Sequence, residues 1–129
     1  MTRRRSKATV LIVEDDAQLR SLYKSALAAA GFAAVTVQDG VAALNYVAHV
    51  EAPDAVLLDL ALPGVHGRDV YRELSTNVST SQIPIIVVTG EPPSSFDESE
   101  FACVLRKPVN IDALLDSVRN CLRKAQSSD

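Results

Sequence analysis

Two kinds of apolar spacing alternate along the chain from residue 8 to residue 124. Short unbroken apolar runs predict five strands buried on both faces: Thr9-Val10-Leu11-Ile12-Val13, Ala33 to Val37, Ala55-Val56-Leu57-Leu58, Pro84-Ile85-Ile86-Val87-Val88 and Phe101 to Leu105. Between them, apolar residues recur at helical spacing. Asp16 opens a helix with Leu19, Leu22, Tyr23, Ala26, Leu27 and Ala30 on one stripe, and Gly31 stops it. Asp39-Gly40 opens a second helix through Leu44 and Val47, which Pro53 breaks. Gly64 and Gly67 predict a flexible loop before a short helix from Arg68 to about Ser75. Asn110 caps a last helix whose Ile111, Leu114, Leu115, Val118 and Leu122 share one face. Gly90 to Glu100, interrupted by Pro92-Pro93, predicts a loop with at most one helical turn and little apolar content to hold it.

Five strands alternating with about five helices predict an α/β fold, a doubly wound parallel sheet with helices on both faces. Right-handed crossovers leave few topologies; the flavodoxin-like order 2-1-3-4-5 is the common one for this strand count and is taken from known sheets of this kind. In that order the first and third strands are neighbours, and both end in carboxylates: Glu14-Asp15-Asp16 after the first, Asp59 after the third. Thr89 follows the fourth strand, and Lys107 lies just past the fifth, before Pro108. The carboxyl ends of strands are where open α/β sheets place their chemistry.

Like charges gathered at one rim repel by several kcal/mol at an effective dielectric near ~20, so the cluster calls for a cation or for protons. Magnesium fits best, because it is a hard cation that takes one or two carboxylates and then binds phosphate oxygens and water. The residues then take roles in phosphoryl chemistry. Asp15 would hold Mg²⁺ directly, Glu14 through water, and the Ala61 carbonyl would complete the protein's share beside Asp59. Asp59 would be the nucleophile that becomes an aspartyl phosphate, Thr89 would donate to one phosphoryl oxygen, and Lys107 would pair with another. Taken singly, Asp15 or Asp16 reads as a helix cap, Thr89 as a strand end and Lys107 as a surface charge. Those separate readings do not explain why all of them fall at strand carboxyl ends.

Composition narrows the partners. The chain of 129 residues is one domain, spanning 8–124, between a basic arm at 1–7 and a polar tail at 125–129. A net charge of −3 gives no electrostatic reason to expect nucleic acid, and Arg3, Arg4, Arg5 and Lys7 read as a solvated terminus. No apolar run approaches the ~18 residues of a membrane span, so a cytoplasmic location is expected. Cys103 and Cys121 lack metal-ligand spacing and are expected as packed thiols; His49 and His66 are expected on the surface.

Taken together, the acidic pair, the run Leu57-Leu58-Asp59-Leu60-Ala61-Leu62-Pro63-Gly64, Thr89 and Lys107-Pro108 resemble the receiver domain of two-component response regulators, from Val10 to about Leu122. The resemblance implies phosphotransfer to Asp59 from a histidine kinase, a phosphotransfer protein or a small acyl phosphate, output to a downstream protein effector, and a cis bond before Pro108 that aims the lysine inward. Two features depart from the family. Val104 stands where receivers carry an aromatic ring that moves with the threonine, and the interval from Thr89 to Lys107 is too short for the usual fourth helix. Ala61 and Glu91 occupy places that tune phosphate lifetime in the family. Output is therefore expected through a change of order in the segment from Gly90 to Glu100. Two other functions compete. A haloacid-dehalogenase-like phosphatase would need a second Asp where Ala61 stands, and a receiver-like binding module would not need all five site residues.

Overall fold

The computed structural model describes residues 7–62 and 64–127; Arg3, Arg4 and Arg5 of the basic arm and Pro63 lie outside them. Five strands, β1 (Thr9–Val13), β2 (Ala33–Val37), β3 (Ala55–Asp59), β4 (Ile85–Thr89) and β5 (Cys103–Arg106), form one sheet in the order β2-β1-β3-β4-β5. All four pairings are parallel, as the unbroken apolar runs predict. The helices are α1 (Ala17–Ala29), α2 (Gly40–His49), α3 (Gly67–Thr76) and α4 (Ile111–Ser127). Four α-helices are present among the described residues, against the five or so expected. Between β4 and β5 the chain makes two single 3₁₀ turns, Pro93–Ser95 and Glu98–Glu100.

The helix starts follow from local chemistry. The Asp16 carboxylate accepts from the backbone N–H groups of Gln18 and Leu19, Asp39 accepts from Ala42, and the Asn110 side-chain carbonyl accepts from Ala113. Gly31, at φ +98°, ends α1 in a conformation that other residues rarely adopt. α4 runs to Ser127, into the segment read as a polar tail.

Alternate strand residues feed two cores. Val10, Ile12, Leu57, Ile86 and Val88 pack with Tyr23 and Leu27 of α1 and Leu114 and Val118 of α4. Leu11, Val13, Val56, Leu58 and Val87 pack with Ala43 of α2, Val70 and Leu74 of α3, and Phe96 from the segment between β4 and β5. Phe96 is 6% exposed, so that segment holds more apolar contact than its sequence suggested.

Three further expectations are corrected. The fifth strand begins at Cys103 and not at Phe101, because the Phe101 ring joins an aromatic cluster and not the ladder. Cys103 and Cys121 are joined by a disulfide that ties β5 to α4; neither is a packed thiol. Gly67 is the first residue of α3 and serves close approach, not loop flexibility. A Cβ there would stand 2.4 Å from the Leu60 Cα and 2.6 Å from the Asp59 carbonyl oxygen. His49 and His66 are exposed, as expected. No helix among the described residues is long and apolar enough to cross a membrane.

Candidate functional site

The carboxyl ends of β1 and β3 deliver the acidic residues side by side. Val13 of β1 registers with Leu58 of β3, so Glu14 and Asp59, each the next residue, leave neighbouring strands at the same rim. Carboxylate oxygens of Glu14, Asp15 and Asp59 all lie within 4.8 Å of one another. Asp59 is 2% exposed and Glu14 1%, whereas Asp15 faces solvent.

Lys107 closes the cluster. Its Nζ stands 2.9 Å from Asp59 Oδ2 and 3.6 Å from Glu14 Oε1. The backbone places it there: Thr89 registers with Arg106, the Lys107 N–H donates to the Thr89 carbonyl at 2.9 Å, and the Lys107-Pro108 bond is cis. The other Asp59 oxygen accepts from the Ala61 N–H at 2.9 Å. One carboxylate is thus fixed at both oxygens, with its ammonium partner partly open to solvent.

Thr89, buried at the end of β4, is one residue beyond Val88, the register partner of Asp59. Its hydroxyl oxygen accepts from the Glu91 N–H at 3.0 Å. Of the residues named from sequence, Glu14, Asp15, Asp59 and Lys107 therefore converge directly. Thr89 stands on the adjoining strand, and Ala61 touches Asp59 through its N–H.

Burial pushes the Glu14 carboxyl up to about 7, helped by the charge of Asp59 and opposed by the Asp16 N–H and the Lys107 ammonium. For Lys107 burial pulls downward, but its hydrogen bond to Asp59 and the charges of Asp59 and Glu14 outweigh that, and its pKa stands above the ordinary lysine value. Glu14 Oε1 is buried without a hydrogen-bond partner among the described residues. A buried carboxylate oxygen that faces an ammonium but makes no hydrogen bond, in a donor set made of oxygens, fits a hard divalent cation better than a soft one.

Two neighbours, Arg20 and Tyr23, were not legible as site residues, and the contacts of a third, Glu91, were not legible either. Arg20 of α1 donates to the carbonyls of Glu14 and Asp15, at 3.0 and 3.1 Å, and so fixes the turn that carries the acids. Tyr23, counted above in the apolar stripe of α1, buries a hydroxyl that also lacks a hydrogen-bond partner; burial first and then the Glu14 charge raise its pKa. Glu91 links Thr89 to Arg68, whose Nη1 is 2.9 Å from the Glu91 carboxylate. A position on a helix stripe or in a loop does not tell which charged groups the fold will bring beside it.

The chain resembles known proteins over most of its length. Residues 10–119 match the response regulator receiver domain. The chain is 31% identical over 124 residues to the response regulator MprA of Mycobacterium sp. (strain KMS), covering 93% of this chain and 53% of MprA. It is 40% identical over 82 residues to the DNA-binding response regulator MtrA of Mycobacterium tuberculosis (strain CDC 1551 / Oshkosh), covering 64% of this chain and 34% of that protein. The chain thus spans between a third and about half of the length of these curated relatives. Among solved structures, the chemotaxis response regulator CheY4 of Vibrio cholerae superposes with a TM-score of 0.81 at 26% identity, over 90% of this chain and 99% of that one. A sensor protein from Polaromonas sp. JS666 does so at 0.82 and 27%, over 92% and 98%. The chain belongs to the response regulator receiver domain family, the phosphoacceptor module of two-component signal transduction.

Proposed function

We propose that Asp59 is the residue of this receiver that accepts the phosphoryl group. The observation that carries the reading is the buried Asp59 carboxylate held between the Ala61 N–H and the Lys107 ammonium, each at 2.9 Å, with Glu14 and Asp15 beside it. In the step, an Asp59 oxygen bonds to phosphorus as the bond from phosphorus to its donor breaks. The donor atom is an imidazole nitrogen of a histidine kinase or phosphotransfer protein, or a carboxylate oxygen of an acyl phosphate.

Lys107 holds the attacking carboxylate in place, then pairs with a phosphoryl oxygen, while the Thr89 hydroxyl donates to another. Asp15 directly, Glu14 through water, Asp59 and the Ala61 carbonyl would hold Mg²⁺. Bound there, the ion would neutralise charge on the transferred oxygens. The protein works as a phosphoacceptor that assists its own labelling and not as a turnover enzyme: at the place where a haloacid-dehalogenase-like phosphatase needs its second Asp stands Ala61. Acting in the cytoplasm, it has as partners a histidine kinase or phosphotransfer protein and a downstream protein effector. DNA binding is named for MtrA, a protein of which this chain matches 34%.

Intact-mass measurement after incubation with acetyl phosphate and Mg²⁺ tests the reading. One phosphoryl group is expected on the wild type and none on Asp59→Asn or in the presence of chelator. Undiminished labelling of Asp59→Asn would overturn the assignment.

A further inference from the structure

The face of the sheet shared by α2 and α3 lacks the helix that would cover the β4 and β5 side, and the segment from Glu91 to Phe101 takes its place. Most of the described side chains of that segment are exposed, and Phe96 is buried. The Phe96 ring stacks on Phe101 with centroids 5.5 Å apart, and Phe101 meets Tyr71 of α3 edge-on at 4.8 Å. Val104 of β5, which stands where the family carries its moving aromatic, belongs to the same hydrophobic cluster. An aromatic group absent from the strand is thus supplied by the segment.

Two guanidinium groups hold that ring. The central carbons of Arg68 and Arg106 lie 5.5 and 5.3 Å from its centroid. Both arginines are in turn tied to Glu91: Arg68 to its carboxylate at 2.9 Å, Arg106 to its carbonyl at 2.6 Å. Arg106 also pairs with Glu98 at 2.9 Å, so the segment is fastened on both sides of Phe96. The chain of contacts ends at the site, because the Glu91 N–H donates to the Thr89 hydroxyl oxygen at 3.0 Å.

We infer that Phe96 is a latch, that Thr89 keeps it closed through Glu91, and that phosphorylation of Asp59 opens it. The inference rests on the phosphoacceptor reading given above. A phosphoryl group on Asp59 brings three strong acceptor oxygens to the rim at which Thr89 ends the neighbouring strand. When the hydroxyl turns to donate to one of them, its oxygen leaves the Glu91 N–H. Glu91 then loses the contact that fixes it, and both arginines lose a fixed partner. The ties that remain are partly exposed, with the Arg68 and Glu91 side chains 41% and 36% accessible, and exposed pairs of this kind hold weakly. Phe96 is released with the segment, and the ring that carries the signal is one placed by tertiary contact and not by position in β5.

Amide hydrogen exchange on the full chain tests this, with Mg²⁺ alone and with Mg²⁺ plus beryllofluoride as a phosphoryl mimic. Fluorine NMR of the same samples reports whether the mimic is bound. The amides of Glu91, Ser99 and Phe101, each hydrogen-bonded in the closed form, are expected to exchange about tenfold faster with the mimic bound. Thr89→Ala is expected to exchange fast with or without it, and Thr89→Ser, which keeps a hydroxyl, to restore the response. Phe96→Ala should loosen the segment in both states while Asp59 labelling persists. A bound mimic with unchanged protection overturns the latch and leaves the phosphoacceptor reading standing. Absence of a bound fluorine signal overturns that reading, and the trigger with it.

Discussion

The two faces of the sheet are built to different standards. On one, α1 and α4 lay buried Tyr23, Leu27, Leu114 and Val118 against the strands, and a disulfide ties α4 to β5. On the other, the two ten-residue helices α2 and α3 leave a gap that two 3₁₀ turns and a few aromatic rings fill. The contacts of the first face belong to long elements, α1 of 13 residues and α4 of 17, and are expected to part only with the whole fold. The second is joined by side-chain contacts that can part locally. A receiver needs both: a fixed frame for its carboxylate and a part that yields when the carboxylate is modified.

Truncation of the well-covered face should have the largest effect. Leu114→Ala, at a fully buried α4 position, is expected to lower global unfolding stability by about 3–4 kcal/mol in denaturant titration. A loss below ~1 kcal/mol would remove the contrast between the faces. Gly67→Ala probes where the second face meets the site. The added methyl collides with the backbone of Asp59 and Leu60, so a loss of about 2–3 kcal/mol is expected, together with slower acetyl phosphate labelling of Asp59.

The acidic rim should respond to pH. The Glu14 pKa is about 7 in the folded chain against 4.5 as its ordinary value, so between these pH values the native state binds more protons than the unfolded state. Stability of the metal-free protein is therefore greatest below about 4.5 as far as Glu14 is concerned, and that contribution is lost as pH rises through about 7. Melting in chelator should show a gain on the order of 2 kcal/mol on going from about pH 8 to about pH 5, and Glu14→Gln should flatten it. The same variant should bind Mg²⁺ more weakly. Phe96→Ala should have the smallest effect on global stability, about 1–2 kcal/mol, because its segment opens without the rest. A cost equal to that of Leu114→Ala would show that the two faces unfold as one.

The strands were readable because five apolar runs each end at a polar residue, and that same feature marked Glu14, Asp15, Asp59, Thr89 and Lys107. What sequence left hidden depended on tertiary neighbours. Phe101 looked like the start of a strand, yet its ring serves Phe96 and Tyr71. Phe96, alone among prolines, serines and acids, gave no periodic signal at all. Cys103 and Cys121, separated by 18 positions, meet only because β5 turns Cys103 toward α4. Gly67 looked like a hinge until the close approach of Leu60 was visible.

The brevity of β5 has a bearing on solubility. This strand forms one margin of the sheet and spans only Cys103–Arg106, so its outward row of unpaired amides and carbonyls is short and ends in a charged residue. Another copy of the chain would find little ladder to extend at that margin.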